Sequence, residues 1–244
     1  MPKFFIETGN SESDTLLIEG EDAVHIGKVL RMKAGDSLIV SDCKGYDYSC
    51  IITELNSGAV TLKINERRAS EAEPSVSVTL FQGLPKGDKM DMIVQKSVEL
   101  GVTQIVPVIT KRSVSRPDAK NLLKKAERWN KIAAEAAKQS GRGILPTVRE
   151  AVDFTAALEM INKLDIAVML YEHNGGTLGS IFNGKVKSGS IGIMVGPEGG
   201  FDDSEVEYAR IHDILTAGMG PRILRTETAP ICALSVIMFA TGNI

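Results

Sequence analysis

The alternation of apolar strands with helical segments in the last two thirds of the chain is the feature that most constrains its fold. Short apolar runs at residues 76–81, 104–109, 165–170 and 190–195 are separated by stretches in which apolar residues recur at helical spacing. Strands that alternate with helices are typical of a mostly parallel sheet covered by helices on both faces. The sequence therefore predicts an α/β fold for this part of the chain.

The first quarter of the chain has a different pattern, with short strands and turns interrupted by one helical stretch at residues 21–31. It ends in a charged segment at residues 67–75, which contains few strand-forming residues and is predicted to be a linker. The sequence therefore predicts two domains, a small β-rich domain at residues 1–72 and the α/β domain at residues 73–244.

The composition is that of a globular protein, with 244 residues of which 43% are hydrophobic. No apolar run approaches the roughly 20 residues of a membrane-spanning helix, and Met1–Glu7 lacks the apolar stretch of a signal peptide. We therefore expect a cytoplasmic protein.

The cysteines, Cys43, Cys50 and Cys232, are odd in number and not at metal-ligand spacing. The sequence therefore predicts reduced, structural thiols and no metal site.

The net charge of -3 hides a local excess of positive charge. Residues 86–149 contain 14 basic and 6 acidic residues, whereas residues 1–72 and 150–244 are acidic. A local basic surface attracts polyanions such as RNA, because phosphate binding depends on nearby cations. The same pattern is compatible with the solvated face of a helix at residues 120–139, so charge alone leaves both interpretations open.

Two loop-forming stretches in the second domain contain the residue types that a ligand site needs. Gly196–Phe201 follows an apolar strand and precedes a helix start, and its glycines permit close approach of the backbone to a ligand. Met219–Ala229 holds two arginines, a glutamate and two threonines between turn residues and a helix start. Each stretch alone is also compatible with an ordinary loop, but together they indicate a small-molecule site.

Other candidate motifs carry little chemical information. Residues 179–186 imitate a phosphate-binding loop, but Val186 stands where a hydroxyl would hold magnesium, and Asn183–Gly184 is predicted to be a turn. The three histidines are predicted to be structural or exposed, and no metal-ligand spacing involves them: His25, His173 and His212.

Several separated motifs occur in order along the chain, and together they are more specific than any single loop. They are Lys96–Val102, Glu135–Arg142, Leu170–Glu172, Gly196–Phe201 with Glu205, and Met219–Ala229. Over essentially its full length, the chain resembles the bacterial 16S rRNA (uracil-N3)-methyltransferases of the RsmE type.

This resemblance implies a SPOUT-superfamily domain whose mostly parallel α/β fold contains a trefoil knot, preceded by a small PUA-like β-barrel that binds RNA. It also implies a homodimer, S-adenosylmethionine as the methyl donor, and methylation of N3 of the uridine conventionally numbered 1498 in 16S rRNA of the small ribosomal subunit. Two alternatives stay open. One is a non-enzymatic RNA-binding protein with a degenerate knot, and the other is a knotted methyltransferase that acts on transfer RNA.

By motif position, the resemblance implies that three loops hold the cofactor. Their predicted cofactor-binding residues are Leu170, Tyr171, Glu172, Gly196, Pro197, Gly199, Gly200, Met219, Gly220, Ile223, Leu224, Arg225 and Thr228. Methyl transfer from a sulfonium depends mainly on positioning, but N3 of uracil must also lose a proton. Arg225 is predicted to stabilise the resulting anion or to orient the base, and Glu227 and Glu198 are candidate proton acceptors. Arg225 could instead brace its loop, and Glu227 could serve as a charge at a helix N-terminus.

Seven basic residues are predicted to contact RNA: Lys3, Arg31, Lys86, Lys96, Arg112, Arg116 and Arg142. Arg142 is the strongest candidate because it lies in a motif that carries the resemblance. Lys3 stands where the family commonly has arginine, which puts a bidentate contact at this position in doubt. The other five are also compatible with solvated surface charge.

Overall fold

The computed structural model describes residues 1–6, 14–56, 58–172, 176–182 and 186–244. These residues form two compact units. The first comprises Met1–Glu73 and Gly141–Leu145, and the second comprises Pro74–Ser140 and Pro146–Ile244. The division predicted from the sequence, between residues 72 and 73, did not include the segment Gly141–Leu145 in the first unit.

The first unit is built around one five-stranded sheet. Its elements are β1 Lys3–Phe5, β2 Thr15–Glu19, α1 Gly20–Val24, a π-helical turn His25–Val29, β3 Ser37–Ser41, β4 Tyr46–Leu55 and β5 Ala59–Ala69. The strand order is β1-β3-β4-β5-β2, in which β1 and β3 are parallel and the other neighbours antiparallel. Arg67 and Arg68 pair with β4 and belong to β5, so the predicted linker began too early.

The core of the first unit follows from alternation along its strands. Side chains at every second position, such as Leu38 and Val40 of β3, are buried with Ile52 of β4 and Leu62 of β5. Ile26 of the π-helical turn joins the same cluster. This packing explains why the helical stretch predicted at residues 21–31 lies against the sheet.

The second unit contains a larger sheet with helices. Its elements are β6 Val76–Gly83, α2 Lys89–Glu99, β7 Gln104–Ile109, α3 Ala119–Ser140, β8 Thr147–Val148, β9 Val152–Asp153, α4 Phe154–Ile161, β10 Ile166–Leu170, β11 Gly176–Thr177, α5 Leu178–Ile181, β12 Gly189–Val195, α6 Asp203–Ile211, β13 Leu215–Gly218 and α7 Ala229–Ala240. The strand order is β11-β13-β10-β12-β6-β7-β8, with β9 also beside β7. Every neighbouring pair is parallel.

The parallel α/β fold predicted from the sequence is confirmed in the second unit. The central strands β6 and β12 are buried on both faces, as continuous apolar runs in parallel sheets are. The long basic helix is α3, whose Trp129 and Ala133 are buried while most of its lysines are exposed. No helix in the described part of the chain is both long and apolar enough to cross a membrane.

Candidate active site

Three neighbouring strands of the second unit end in loops that line one cavity. Strand β10 lies between β13 and β12, so their carboxyl ends meet at the same edge of the parallel sheet. The loops are Leu170–Glu172, Gly196–Phe201 and Met219–Ala229, and they surround a cavity of about 370 Å³. A cleft at the carboxyl ends of parallel strands is a usual place for a small-molecule site in an α/β fold.

The cavity brings together most of the residues that the sequence predicted for cofactor binding. Of the thirteen, Gly199 and Thr228 do not line it, and the other eleven do. Arg225 and Glu198 also lie in its wall, whereas Glu227 reaches the wall only through its contact with Lys89.

A short chain of hydrogen bonds fixes two of the loops to each other. The Thr226 hydroxyl donates to the Gly196 carbonyl oxygen at 2.8 Å and accepts from the Gln82 side-chain amide at 3.1 Å. Gln82 is fully buried at the end of β6, and Thr226 is 5% exposed. Because a buried hydrogen bond is costly to break, these three residues hold the loops in register.

The second loop approaches β6 so closely that only glycine fits there. A Cβ atom built on Gly83 would lie 2.6 Å from both the Cδ and the N of Pro197, and 3.0 Å from the carbonyl carbon of Gly196. Within the loop, Gly200 has a φ of 65°, a value that favours glycine, and its amide donates to the Pro197 carbonyl.

The far end of the same loop is held by α6. Asp202 caps this helix, and Glu205 completes a capping box by accepting from the Asp202 amide at 2.9 Å. Glu205 is buried and also accepts from the Lys111 amide at 2.8 Å. Arg112 donates to the Gly199 carbonyl at 3.2 Å, so the loop is fixed on both sides.

Lys89, which was not among the predicted site residues, lies in the wall of the cavity with its side chain 34% exposed. The Nζ of Lys89 lies 2.9 Å from Glu198 and 3.3 Å from Glu227. The hydrogen bond to Glu198 raises the pKa of Lys89 above its ordinary value. Burial acts to raise the pKa of Glu198, but the hydrogen bond from Lys89 and nearby backbone amides outweigh it, so the pKa of this carboxyl lies below its ordinary value.

Arg225, like Arg222, is a cation of the wall without a side-chain partner among the described residues, unlike Lys89. Its side chain is exposed, and no described residue forms an ion pair or hydrogen bond with its guanidinium. Its backbone carbonyl accepts from the amides of Thr228 and Ala229 at 2.8 and 2.9 Å, which fixes the start of α7. The guanidinium is therefore available to a ligand, and the backbone, not the side chain, braces the loop.

Eight wall residues were not among the predicted site residues, although Phe201, Arg222, Thr226 and Ala229 lie in the predicted loops. The other four are Lys89, Val195, Ala217 and Gly218. Lys89 owes its place in the wall to the order of the strands, which the sequence alone does not give. It lies in the loop and helix start that follow β6, and β6 is parallel to β12 and next to it. Residues just beyond the end of β6 must therefore lie at the same edge of the sheet as the Gly196 loop.

The structure gives Arg142 and Lys3 structural roles in place of the predicted RNA contacts. Arg142 is 2% exposed and forms a bidentate pair with Glu73, with N to O distances of 2.9 and 2.7 Å. Lys3 is paired with Asp47 at 2.8 Å and donates to the Gly141 carbonyl at 2.8 Å. Both cations are used inside the first unit, where they hold the segment Gly141–Leu145, and neither is presented to a phosphate.

Replacing Arg142 by methionine is expected to lower the free energy of unfolding of the first unit by about 3 kcal/mol, because breaking a buried ion pair leaves the Glu73 carboxylate uncompensated. The measurement is denaturant unfolding at pH 7. Lys96→Met is the matched control, since it removes a pair with Glu99 that is far more exposed than the Arg142 pair, and it is expected to cost less than about 1 kcal/mol. Unchanged stability together with weaker RNA binding would restore the original interpretation of Arg142.

The same pair predicts how stability depends on pH. Burial acts to raise the pKa of Glu73, but Arg142 and the amides of Gly143 and Ile144 outweigh it and hold the pKa below its ordinary value. A carboxyl with a lowered folded-state pKa contributes stability that is complete above its unfolded value of about 4.3 and is lost as the pH falls through the folded value. As the pH falls below about 4.3, the free energy of unfolding of the wild-type protein should decrease by the contribution of this pair. That of Arg142→Met should decrease less over the same pH range, because the substitution has already removed the pair.

The other predicted RNA contacts remain accessible to differing degrees. Arg31, Lys86, Arg112 and Arg116 are exposed, and Lys96 is half-buried beside Glu99. Arg112 also lies 3.5 Å from Asp202, and Arg116 donates to the carbonyls of nearby residues in its own loop.

The histidines and cysteines form no site in the described part of the chain. His25 packs edge-on against Phe4, and a ring nitrogen of His212 lies 2.8 Å from the Tyr208 carbonyl oxygen. His173 and the turn predicted at Asn183–Gly184 lie outside the described residues. Among the residues described, no cluster could hold a metal ion, and all three cysteines are free thiols. Burial raises the pKa of Cys50 to about 11.

Comparison with known proteins assigns the chain to a family. A family model for an RNA methyltransferase domain matches residues 72–238, and one for an RNA methyltransferase PUA domain matches residues 18–65. A relative from Bacillus subtilis (strain 168), named ribosomal RNA small subunit methyltransferase E, is 38% identical over 99% of this chain and 97% of its own length. A relative of the same name from Synechocystis sp. is 32% identical over 87% of this chain and 69% of its own length.

A solved structure agrees with these matches. The ribosomal RNA small subunit methyltransferase E from Neisseria gonorrhoeae, bound to S-adenosyl methionine, has a TM-score of 0.85 and 31% identity to this chain. The match covers 98% of this chain and 97% of that one. The sequence resemblance is thus confirmed by family models, relatives and fold together. The chain belongs to the RNA methyltransferase family whose members include ribosomal RNA small subunit methyltransferase E.

Proposed function

We propose that this protein transfers a methyl group from S-adenosylmethionine to N3 of one uridine of 16S rRNA, the one conventionally numbered 1498. The observation that carries the proposal is the cavity of about 370 Å³ in which three loops from neighbouring parallel strands converge. The family membership supports the reaction type, and the name of the relatives supports small-subunit rRNA as the substrate. We infer that the protein works in the cytoplasm, where small ribosomal subunits are assembled.

The wall of the cavity fits a bent cofactor with both apolar and charged parts. Its volume lies in the range of small-molecule sites, which is roughly 300 to 1,000 Å³. Glycines in two loops let the backbone approach closely, so amides and carbonyls can recognise an adenine edge. Leu170, Val195 and Leu224 offer apolar surface, and Glu172 adds a carboxylate to the wall. A SPOUT-type trefoil knot, which the family resemblance implies, would bring such loops together.

The cofactor supplies an electrophilic methyl group on a sulfonium. The bond from carbon to N3 forms as the bond from carbon to sulfur breaks, and the proton of N3 must leave. The task of the protein is to hold N3 in line with the methyl group, and the loops fixed by Thr226 and Glu205 provide that rigidity.

Arg225 is the residue that we propose for stabilising the uracil anion. Its guanidinium is exposed in the cavity wall and has no partner among the described residues. A planar cation of this kind can donate two hydrogen bonds to a carbonyl oxygen next to N3 as negative charge develops there. Glu198 is a weak candidate for accepting the proton, because its lowered pKa makes it a poorer base than an ordinary carboxylate. Glu227 remains a candidate acceptor, and so does water.

We retain five basic residues as proposed RNA contacts, one in the first unit and four in the second: Arg31, and Lys86, Lys96, Arg112 and Arg116. Long cationic side chains of this kind attract the phosphate backbone without reading sequence, so each should affect affinity more than target choice. Lys86 and Arg112 both contact the Gly196 loop, Lys86 through its main-chain amide to Glu198 and Arg112 through its guanidinium to the Gly199 carbonyl, which suits them to RNA that enters the cavity.

We propose further that the protein works as a homodimer and that α7 contributes to the interface. This helix is apolar on all sides, yet Phe239 is 75% exposed and Ile231 and Val236 are half-buried. An exposed apolar helix face of this kind is typical of a protein–protein contact. Ala229, the first residue of α7, also lines the cavity, so dimer formation and the cofactor site would be adjacent.

Replacing Phe239 by glutamate is expected to convert the dimer into a monomer, because the new charge would have to be buried in an apolar contact. Sedimentation equilibrium of the wild-type protein and the variant gives the masses directly. Ile211→Glu is a matched control on α6, where the isoleucine is 68% exposed but the other exposed residues of the helix are mostly charged or polar. A monomeric wild-type protein would contradict the proposal, and so would a dimeric Phe239→Glu variant.

Calorimetric titration with S-adenosylmethionine tests the enzymatic proposal against a non-enzymatic RNA-binding role. We expect one cofactor site per chain, and methyl transfer to small subunits from a strain that lacks this protein. Failure to bind the cofactor would favour the non-enzymatic alternative. Transfer to transfer RNA, with none to the small subunit, would favour the other knotted enzyme class.

A further inference from the structure

Lys89 joins two of the three loops that form the cavity. It is the first residue of α2, and its side chain contacts Glu198 from the Gly196 loop and Glu227 from the Met219 loop. The side chain of Lys89 is 34% exposed, and those of Glu198 and Glu227 are 27% and 15% exposed. The main-chain amide of Lys86 adds a hydrogen bond of 3.1 Å to the same Glu198 oxygen.

The arrangement is one cation between two carboxylates on separate loops. Without the ammonium group, the two carboxylates would face each other across the same partly desolvated space, where repulsion between like charges is stronger than in bulk water. The hydrogen bond from Thr226 to Gly196 also joins these loops, but Thr226 is 5% exposed, whereas the side chain of Lys89 is 34% exposed. On the solvent-exposed side, the side chains of the two loops are linked through Lys89.

We propose that Lys89 is a positioning residue that holds the Gly196 and Met219 loops at the separation at which the cavity binds the cofactor. This inference rests on the proposed function, since it concerns the same cavity. Lys89 is not the cation that stabilises the uracil anion, because two carboxylates already balance its charge. Arg225 has no such partners among the described residues and is suited to that task.

The role predicts a specific pattern among variants. Lys89→Met should weaken S-adenosylmethionine binding by about tenfold to a hundredfold, because small displacements of binding groups have effects of this order. The KM for the cofactor should rise by a similar factor, and kcat at saturating cofactor should change less. Lys89→Arg should retain most of the affinity, since a longer cation still reaches both carboxylates.

The triple variant Lys89→Met, Glu198→Gln, Glu227→Gln separates positioning from direct contact. It removes the repulsion together with the cation, so most of the affinity lost in Lys89→Met should return. Lys138→Met is the matched control, because Lys138 pairs with Glu135 on α3 and does not line the cavity. Its affinity for the cofactor should equal that of the wild-type protein.

Calorimetric titration with S-adenosylmethionine on the full-length chain measures all four variants. Wild-type affinity in Lys89→Met would overturn the inference, and so would a triple variant as weak as Lys89→Met, because the lysine would then act on the ligand itself. Absence of binding by the wild-type protein would overturn the proposed function, and the inference with it. If the wild-type protein binds S-adenosylmethionine but the variants do not follow the expected pattern, the inference about Lys89 fails and the proposed function stands.

Discussion

Arg225→Ala should slow methyl transfer by about a hundredfold to a thousandfold, which is the usual effect of removing one donor to a developing anion. The affinity for S-adenosylmethionine should fall by less than about tenfold, because the backbone contacts that shape this loop come from the Arg225 carbonyl and survive the substitution. Single-turnover transfer to small subunits and calorimetry with the cofactor measure the two quantities separately.

Arg222→Ala is the matched control, because Arg222 lines the same cavity on the same loop and carries the same charge. If the guanidinium of Arg225 contacts the uracil anion and that of Arg222 does not, the single-turnover rate of Arg222→Ala should be less than about tenfold below that of the wild-type protein. Arg225→Lys adds a second comparison, since lysine keeps the charge but not the planar fork of donors. An Arg225→Ala enzyme with an unchanged single-turnover rate would contradict the catalytic role.

Gly83→Ala should abolish most cofactor binding, although residue 83 does not touch the cavity. The added Cβ would lie 2.6 Å from backbone and ring atoms of Pro197, so the Gly196 loop must move. A displacement of about 1 Å at a binding loop costs about a hundredfold, and overpacking costs about 1–3 kcal/mol in unfolding free energy. Calorimetry and denaturant unfolding measure the two effects.

Gly179→Ala is the control for this substitution. Gly179 lies in α5, and a Cβ built there meets no atom within 4 Å. Both cofactor binding and stability should stay at wild-type values. If Gly83→Ala bound the cofactor as tightly as this control, the close contact between β6 and the Gly196 loop would not determine the shape of the site.

The parallel sheet could be predicted because its signal is local and repeated. Runs such as residues 104–109 are apolar over the length of a strand, and the structure has β7 at the same bounds. The short elements β8, β9, β11 and α5 were not predicted, because two to four residues carry no periodicity. The order of strands depends on contacts between distant segments, which a pattern of spacing does not contain.

The cofactor loops could be predicted because their composition is unusual for a packed segment. Glycines next to prolines after a buried strand, and arginines beside threonines before a helix, both lie in the cavity wall. Lys89 was missed because one lysine at a helix start has no distinctive local pattern. Its role becomes evident only when Glu198 and Glu227, distant in sequence, are seen to flank it.

Arg142 and Lys3 show what the sequence does not reveal about a cation. A basic residue in a family motif can be retained for folding as well as for RNA, and the sequence does not reveal which carboxylate is its neighbour. Here Glu73 and Asp47 neutralise these two cations inside the first unit. Local net charge therefore overestimates the cation surface that is available to phosphates.

The most direct test of the proposed function identifies the methylated atom. Small subunits from a strain that lacks the protein are incubated with the purified protein and isotopically labelled S-adenosylmethionine, and the nucleosides of the 16S rRNA are then analysed by mass spectrometry. We predict label in 3-methyluridine at a single position of 16S rRNA, and none when Arg225→Ala replaces the wild-type protein over the same short incubation. Label in another nucleoside, or no transfer to 16S rRNA at all, would contradict the proposed function.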